Sequence, residues 1–121
     1  MDVVEYIIDQ IVPKLYLPED LIIQHGSSDK FIYFIANGIC RVSVSNHLKQ
    51  LKVIKELSQG DYFGEIALIF GSLRTANIES FNYCTLAYLR IEHFKKLCSI
   101  CPEVYTWIKQ HALRNYSDQW I

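Results

Sequence analysis

No excess of charge of either sign marks this chain. Among its 121 residues Lys and Arg number 12 and Asp and Glu 13, a net charge of −1. A general nucleic-acid binder needs surplus positive charge facing phosphates, so the near-balance speaks against one. It leaves room for a small anionic ligand, which one or two well-placed cations can hold. Long uncharged runs are missing as well. The longest, Phe31–Cys40 and Ser80–Leu89, span ten residues each, about half of what a membrane-spanning helix needs. The start, Met1-Asp2-Val3-Val4-Glu5, lacks the basic residues and the long apolar run of a secretion signal. The cysteines Cys40, Cys84, Cys98 and Cys101 show no disulfide-framework spacing, and a chain of this size needs no staples, so a reducing, cytosolic setting is expected. Cys98 and Cys101 have C-x-x-C spacing, but no second pair accompanies them, and idle thiols are the better reading. Nucleophile elbow, P-loop, internal repeat, linker and low-complexity segment are all absent.

What is present is core material. Hydrophobic residues make up 50% and aromatics 13%, which speaks against disorder and, at this length, for one domain. Val3, Val4, Ile7, Ile8 and Ile11 recur at helical spacing, and Pro13 is expected to close that first helix. From Lys14 to Arg90 the texture changes to short β-prone runs cut by turns. Strands are expected at Leu15–Leu17, Leu21–Gln24, Phe31–Ala36, around Val42–Val44, at Leu51–Leu57, Thr75–Ser80 and Tyr83–Arg90. Phe31–Ala36 is apolar on both faces, as a strand between two layers would be. Asn37-Gly38 reads as a hairpin turn, since both residues tolerate positive φ. Val42 and Val44 alternate with Ser43 and Ser45, as on a half-exposed strand.

After Arg90 the pattern is helical again. Ile91–Ser99 reads as one short helix, and Pro102 fits the first position of another. In that last helix Val104, Trp107, Ile108, His111 and Ala112 form an apolar stripe whose only available partner is the β layer. The expected architecture is mostly β with flanking helices. It is an eight-stranded antiparallel, jelly-roll-like β-roll with an N-terminal helix, a short helix inside the roll and two C-terminal helices. One domain covers residues 1–121, with the first helix at 1–13, the roll at 14–90 and the closing helices at 91–121. A metalloenzyme of the cupin type is a distant alternative for such a roll. It would want a close His-x-His pair with a carboxylate, and His25, His47, His93 and His111 are scattered.

One segment, residues 60–76, is neither alternating strand nor simple turn. Glu65–Ile69 can form a turn or two of helix behind Gly64, which lets a ligand approach the backbone closely. The first amides of a helix lack partners and carry the positive end of its dipole, which suits an anion. Arg74 can add a forked, permanently charged donor, Thr75 a hydroxyl, and Ala76 leaves space. Glu65 would repel a phosphate unless it faces a neutral part of the same ligand. The residues therefore ask for one phosphate beside a free hydroxyl, and a ribose with a cyclised 3′,5′-phosphate and a free 2′-OH fits. The plain alternative is a Glu65–Arg74 salt bridge closing a surface loop.

Gly60-Asp61-Tyr62-Phe63-Gly64-Glu65-Ile66-Ala67-Leu68 followed by Arg74-Thr75-Ala76 resembles the phosphate-binding cassette of cyclic-nucleotide-binding domains. The step from Glu65 to Arg74 is similar to that of cyclic-nucleotide-gated and hyperpolarisation-activated channels, and the likeness extends over nearly the whole chain. It implies a ligand, cAMP or cGMP, and no further cofactor or metal. Arg74 would pair with the cyclic phosphate and Glu65 would take the ribose 2′-hydroxyl. Backbone groups at Gly64, Ile66 and Ala67 would complete a cradle beside Phe63, with Thr75 near both phosphate and purine and Ala76 adjoining it. The last helix would fold over the purine as a lid, with Arg114 and Asn115 near the base-contacting position. Hyperpolarisation-activated channels resemble one another in having an arginine where this chain has Asn115, so the base preference stays open.

The resemblance further implies a regulatory module, not an enzyme. Its effector would be the transmembrane pore of a cation channel in the same chain, tetrameric when full length, with this domain on the cytosolic face of the membrane. Threonine after Arg74 looks more like channels and cGMP-dependent kinases than like cAMP-dependent kinase regulatory subunits. A kinase regulatory domain is the alternative. A bacterial transcription regulator would carry a helix-turn-helix after the last helix, and the chain ends at Ile121, so DNA binding is not expected.

Overall fold

The computed structural model describes residues 9–45, 48–107 and 109–110. Within them the strands are β1 (Val12–Tyr16), β2 (Leu21–Ile23), β3 (Phe31–Asn37), β4 (Cys40–Ser45), β5 (Leu51–Leu57), β6 (Tyr62–Phe63), β7 (Asn77–Ser80) and β8 (Cys84–Arg90). They form two four-stranded antiparallel sheets, ordered β1-β8-β3-β6 and β2-β7-β4-β5. Two helices interrupt or follow the roll, α1 (Glu65–Phe70) and α2 (Ile91–Ile100), and residues 102–107 are helical from Pro102 onward. No helix among the described residues is long and apolar enough to cross a membrane.

The expectation for the β3 segment holds. Tyr33 and Ile35 point into the core between the sheets with Cys40, Val42, Ile78 and Leu86. Ile32, from the opposite face of the same strand, meets Leu89, Phe94 and Leu97 beneath the helices. Ile32, Leu86 and Leu89 are sealed from solvent, each burial stabilising by about 1.5–3 kcal/mol. Val104 packs on this second cluster, so the first described part of the closing stripe lies against the roll, as expected. Ile108, His111 and Ala112 fall outside the residues whose side chains are described.

Three local expectations are corrected. Residues 9–10 are helical, but β1 already begins at Val12 and takes in Pro13. Pro13 is tolerated there because, among the described residues, β1 is an edge strand paired with β8 alone, so a missing N–H costs little. The Asn37-Gly38 turn does not make a hairpin: β3 and β4 belong to different sheets. Gly38 has φ 104° whereas Asn37 does not take a positive φ, so the paired left-handed geometry of a tight hairpin is absent. A Cβ on Gly38 would lie 2.7 Å from the Cys84 Sγ and from the Tyr83 carbonyl oxygen; the turn hugs β8 while it carries the chain from one sheet to the other. Finally, Ser43 is buried rather than exposed. A bulge between Val42 and Ser43 shifts the ladder with β5 and breaks the alternation of side chains.

Candidate functional site

The irregular segment forms the wall of a cavity. Tyr62 and Phe63 pair briefly with β3 as β6, and Phe63 stacks on Tyr33, ring centroids 5.0 Å apart. The chain then turns at Gly64, whose φ of 96° glycine adopts without strain. A side chain here would also collide, since a Cβ would stand 2.9 Å from the Phe31 carbonyl oxygen and 3.0 Å from Arg74 Nη1. Helix α1 starts at Glu65 and is ended after one and a half turns by Gly71 at φ 65°, whose N–H bonds the Ala67 carbonyl.

Arg74 is the most heavily bonded side chain of the site. The loop before β3 holds its backbone: Gly26 N donates to the Arg74 carbonyl at 2.8 Å, and Arg74 N donates to the Ser27 carbonyl at 2.9 Å. Its guanidinium, 3% exposed, grips both carboxylate oxygens of Asp29, Nε to Oδ2 at 3.1 Å and Nη2 to Oδ1. Nη2 also donates to the Phe31 carbonyl at 2.5 Å, and Nη1 to the Gly64 carbonyl at 2.6 Å. Of the five N–H donors of a guanidinium, one on Nη1 remains without a partner among the described residues.

Glu65 is 4% exposed. Burial pushes its pKa up to about 7, against the opposing pull of its own backbone N–H and of the positive charges of Arg74 and Lys55. The plain Glu65–Arg74 bridge is not what forms, because the ion-pair partner of Arg74 is Asp29. Both residues nevertheless face one cavity of about 330 Å³, the lower end of the range typical of small-molecule sites. The cavity brings together every described candidate, namely Phe63, Gly64, Glu65, Ile66, Ala67, Arg74, Thr75 and Ala76. Arg114 and Asn115 lie outside the described residues.

Three participants escaped the sequence. Asp29 sits 45 positions from Arg74, so no local spacing pairs them. The available signal was that Asp29 is the lone carboxylate between Asp20 and Glu56. Trp107 fits the apolar stripe of the closing helix by spacing, yet it is 52% exposed and lines the cavity with its ring 5.9 Å from that of Tyr62. Lys55 lines the cavity from β5, two positions before the apolar Leu57 that lines it too; residues two apart on a strand share a face, and that was the available clue.

Residues 13–101 match the family model described as the cyclic nucleotide-binding domain. The chain is 35% identical over 89 residues to potassium/sodium hyperpolarization-activated cyclic nucleotide-gated channel 2 of Mus musculus, and 33% to channel 3 of Homo sapiens. The matches cover 74% of this chain and 10–11% of those relatives, so the chain spans about a tenth of their length. Among solved structures, the catabolite activator protein of Thermus thermophilus superposes with a TM-score of 0.87 at 22% identity, over 96% of this chain and 55% of that one. The regulatory domain of Toxoplasma gondii PKA, solved with cAMP, gives 0.79 at 24% identity, over 92% and 44%. These two likenesses speak to the β-roll alone. With the cassette segment, its cavity and the match over most of the roll agreeing, this chain belongs to the cyclic nucleotide-binding domain family.

Proposed function

We propose that this domain binds cAMP or cGMP in the cavity at α1 and passes occupancy to its C-terminal helix, as the cytosolic regulatory domain of a cation channel. The observation that carries the reading is the pair Glu65 and Arg74, 4% and 3% exposed, on the wall of one cavity. A buried carboxylate and a buried guanidinium that do not neutralise each other are matched by a ligand bearing a hydroxyl and a phosphate close together. The Arg74 Nη1 N–H that has no partner among the described residues, and the backbone at Gly64, Ile66 and Ala67, meet the phosphate. Glu65 accepts the ribose 2′-hydroxyl. Thr75 and Ala76 adjoin the phosphate on the side that leads into β7.

Coupling follows from differential affinity. Trp107, carried by the helical residues 102–107, forms part of the cavity wall, so a filled cavity and an empty one favour different settings of that helix. The role is one of binding, not catalysis. The channel context rests on the 33–35% identity to hyperpolarization-activated channels; the transmembrane pore in the same chain and its tetramer belong to this proposal.

Calorimetric titration with cAMP, cGMP and the open-chain 5′-AMP tests the binding reading. The expected result is saturable binding of a cyclic nucleotide and at least tenfold weaker binding of 5′-AMP. Equal affinity for the open and cyclic phosphates would overturn it.

A further inference from the structure

Two thiols bracket the joint between α2 and the closing helix at 102–107. Cys98 lies in the last turn of α2, and Cys101 is the residue that ends it, with φ −134° and ψ 85°. The Cys101 N–H still donates to the Leu97 carbonyl at 2.9 Å, and the Cys101 carbonyl accepts from Val104 N at 3.1 Å as the next helix opens. The backbone thus keeps helical spacing up to Cys101, and residues three apart on a helix have Cβ atoms about 5–6 Å apart. A disulfide needs about 3.5–4.5 Å, so a shift of about 1–2 Å at this joint closes the bond.

A small oxidant can reach both sulfurs. Cys98 and Cys101 are partly exposed, whereas Cys40 and Cys84 are sealed inside the roll. Cys98 lines a groove of about 510 Å³ between α1, α2 and the closing helix, bounded on the last side by Pro102, Tyr105 and Thr106. The Cys101 thiol donates to Glu103 Oε2 at 3.2 Å. That bond pushes the Cys101 pKa up, so the thiol keeps its proton at rest, and the carboxylate is placed to take it when the sulfur attacks.

We propose that a peroxide converts Cys98 and Cys101 into a reversible disulfide that locks this joint and loosens the cavity. The Cys101 sulfur attacks one peroxide oxygen and the O–O bond breaks. The thiol proton passes through Glu103 to the departing hydroxide, which leaves as water, and Cys101 becomes a sulfenic acid. The Cys98 sulfur then attacks the Cys101 sulfur; the S–S bond forms, the S–O bond breaks and a second water leaves with the Cys98 proton. Two thiols have lost two electrons and one hydrogen peroxide has become two waters; a low-molecular-weight thiol reverses the bond by exchange. Beyond the joint, Val104 packs on the second core cluster and Trp107 lines the cavity, so moving the joint moves the cavity wall. The effect on affinity rests on the cyclic-nucleotide reading above; the bond itself does not.

The test compares the native domain, reduced and after hydrogen peroxide, with Cys101→Ser treated alike. After peroxide the native tryptic peptide 97–109, which holds both cysteines, should be two hydrogens lighter and closed to alkylation. Amide hydrogen exchange across 102–107 should slow, and calorimetric affinity for the better-bound of cAMP and cGMP should fall about fivefold, the low end for coupled sites. Cys101→Ser should match the reduced native domain in affinity and show neither the mass loss nor the drop in affinity; Cys98→Ser should do the same and serves if the first variant folds poorly. A peptide that gains oxygen without losing hydrogens, or a closed disulfide that leaves the affinity unchanged, would overturn the lock while leaving the binding site standing. If the reduced domain bound neither nucleotide, the binding reading would fall, and peptide mass with amide exchange would still decide the lock.

Discussion

Asp29 and Arg74, 45 positions apart, meet as a two-pronged ion pair in which the guanidinium is buried and the carboxylate is 27% exposed. The pair ties the loop before β3 to the residue that enters β7, and so joins the two sheets beside the cavity. Removing one partner strands the other. Asp29→Asn keeps one acceptor but no charge and should lower stability by about 2 kcal/mol, less than for a fully desolvated pair. Arg74→Ala should also lose ligand affinity by roughly 30-fold or more. Urea unfolding read beside calorimetric titration separates the two effects. Unchanged stability in Asp29→Asn would show the pair to be idle.

Two glycines in the same segment should respond differently to alanine. Gly64 combines φ 96° with a Cβ position 2.9 Å from the Phe31 carbonyl oxygen, whereas Gly71 has φ 65° and open space. Gly71→Ala should cost only the left-handed strain, about 1 kcal/mol, and leave ligand affinity nearly intact. Gly64→Ala adds a collision with the backbone and with Arg74, so it should cost more than that and weaken binding at least tenfold. Equal effects of the two substitutions on binding would contradict the close packing of Gly64 over the guanidinium.

Glu65 gives the unliganded domain a pH dependence of known sign. Its folded pKa of about 7 lies above the ordinary value of 4.5 because of burial, so the folded state holds the proton more tightly than the unfolded chain. The stability it supports is complete below pH 4.5 and is lost as pH rises through 7, a change of about 3 kcal/mol. Glu65→Gln removes that slope. The native domain should lose stability relative to Glu65→Gln between pH 5 and pH 8, as read by urea unfolding. Parallel pH profiles would refute it.

The closing helix should contribute to binding without being required. Trp107→Ala removes a half-exposed wall of the cavity and should weaken cyclic-nucleotide binding by a few-fold, with little loss of stability since the ring is 52% exposed. Cutting the chain after Cys101 should weaken binding further without abolishing it. Unaltered affinity in both would remove the helix from the mechanism.

What the sequence disclosed, and what it did not, follows from the range of each interaction. The strand at Phe31 and the helix behind Gly64 were legible because period, turn glycine and flanking residues all act within a few positions. The same holds for the cassette residues Phe63 to Ala67 and Arg74 to Ala76, which the fold gathers on one wall. The hairpin expected at Asn37-Gly38 was misread because the change of sheet there is decided by packing against Cys84, far along the chain. The pairing of Asp29 with Arg74, 45 positions apart, is hidden for the same reason. The burial of Ser43 depends on a bulge that no alternation rule announces. Trp107 fitted a helical stripe so well that its place on the cavity could not be separated from a core role by spacing alone.

The central claim, that the Glu65 carboxylate holds the sugar hydroxyl of a ligand whose phosphate lies at Arg74, is tested most directly by a four-way calorimetric cycle. The native domain and Glu65→Gln are each titrated with the better-bound cyclic nucleotide and with its 2′-deoxy analogue. A charge-assisted hydrogen bond stabilises by about 1.5–3 kcal/mol, so loss of the hydroxyl should weaken native binding at least tenfold. In Glu65→Gln the same loss should be several-fold smaller. An identical penalty in both proteins would place the hydroxyl away from Glu65 and contradict the site as described.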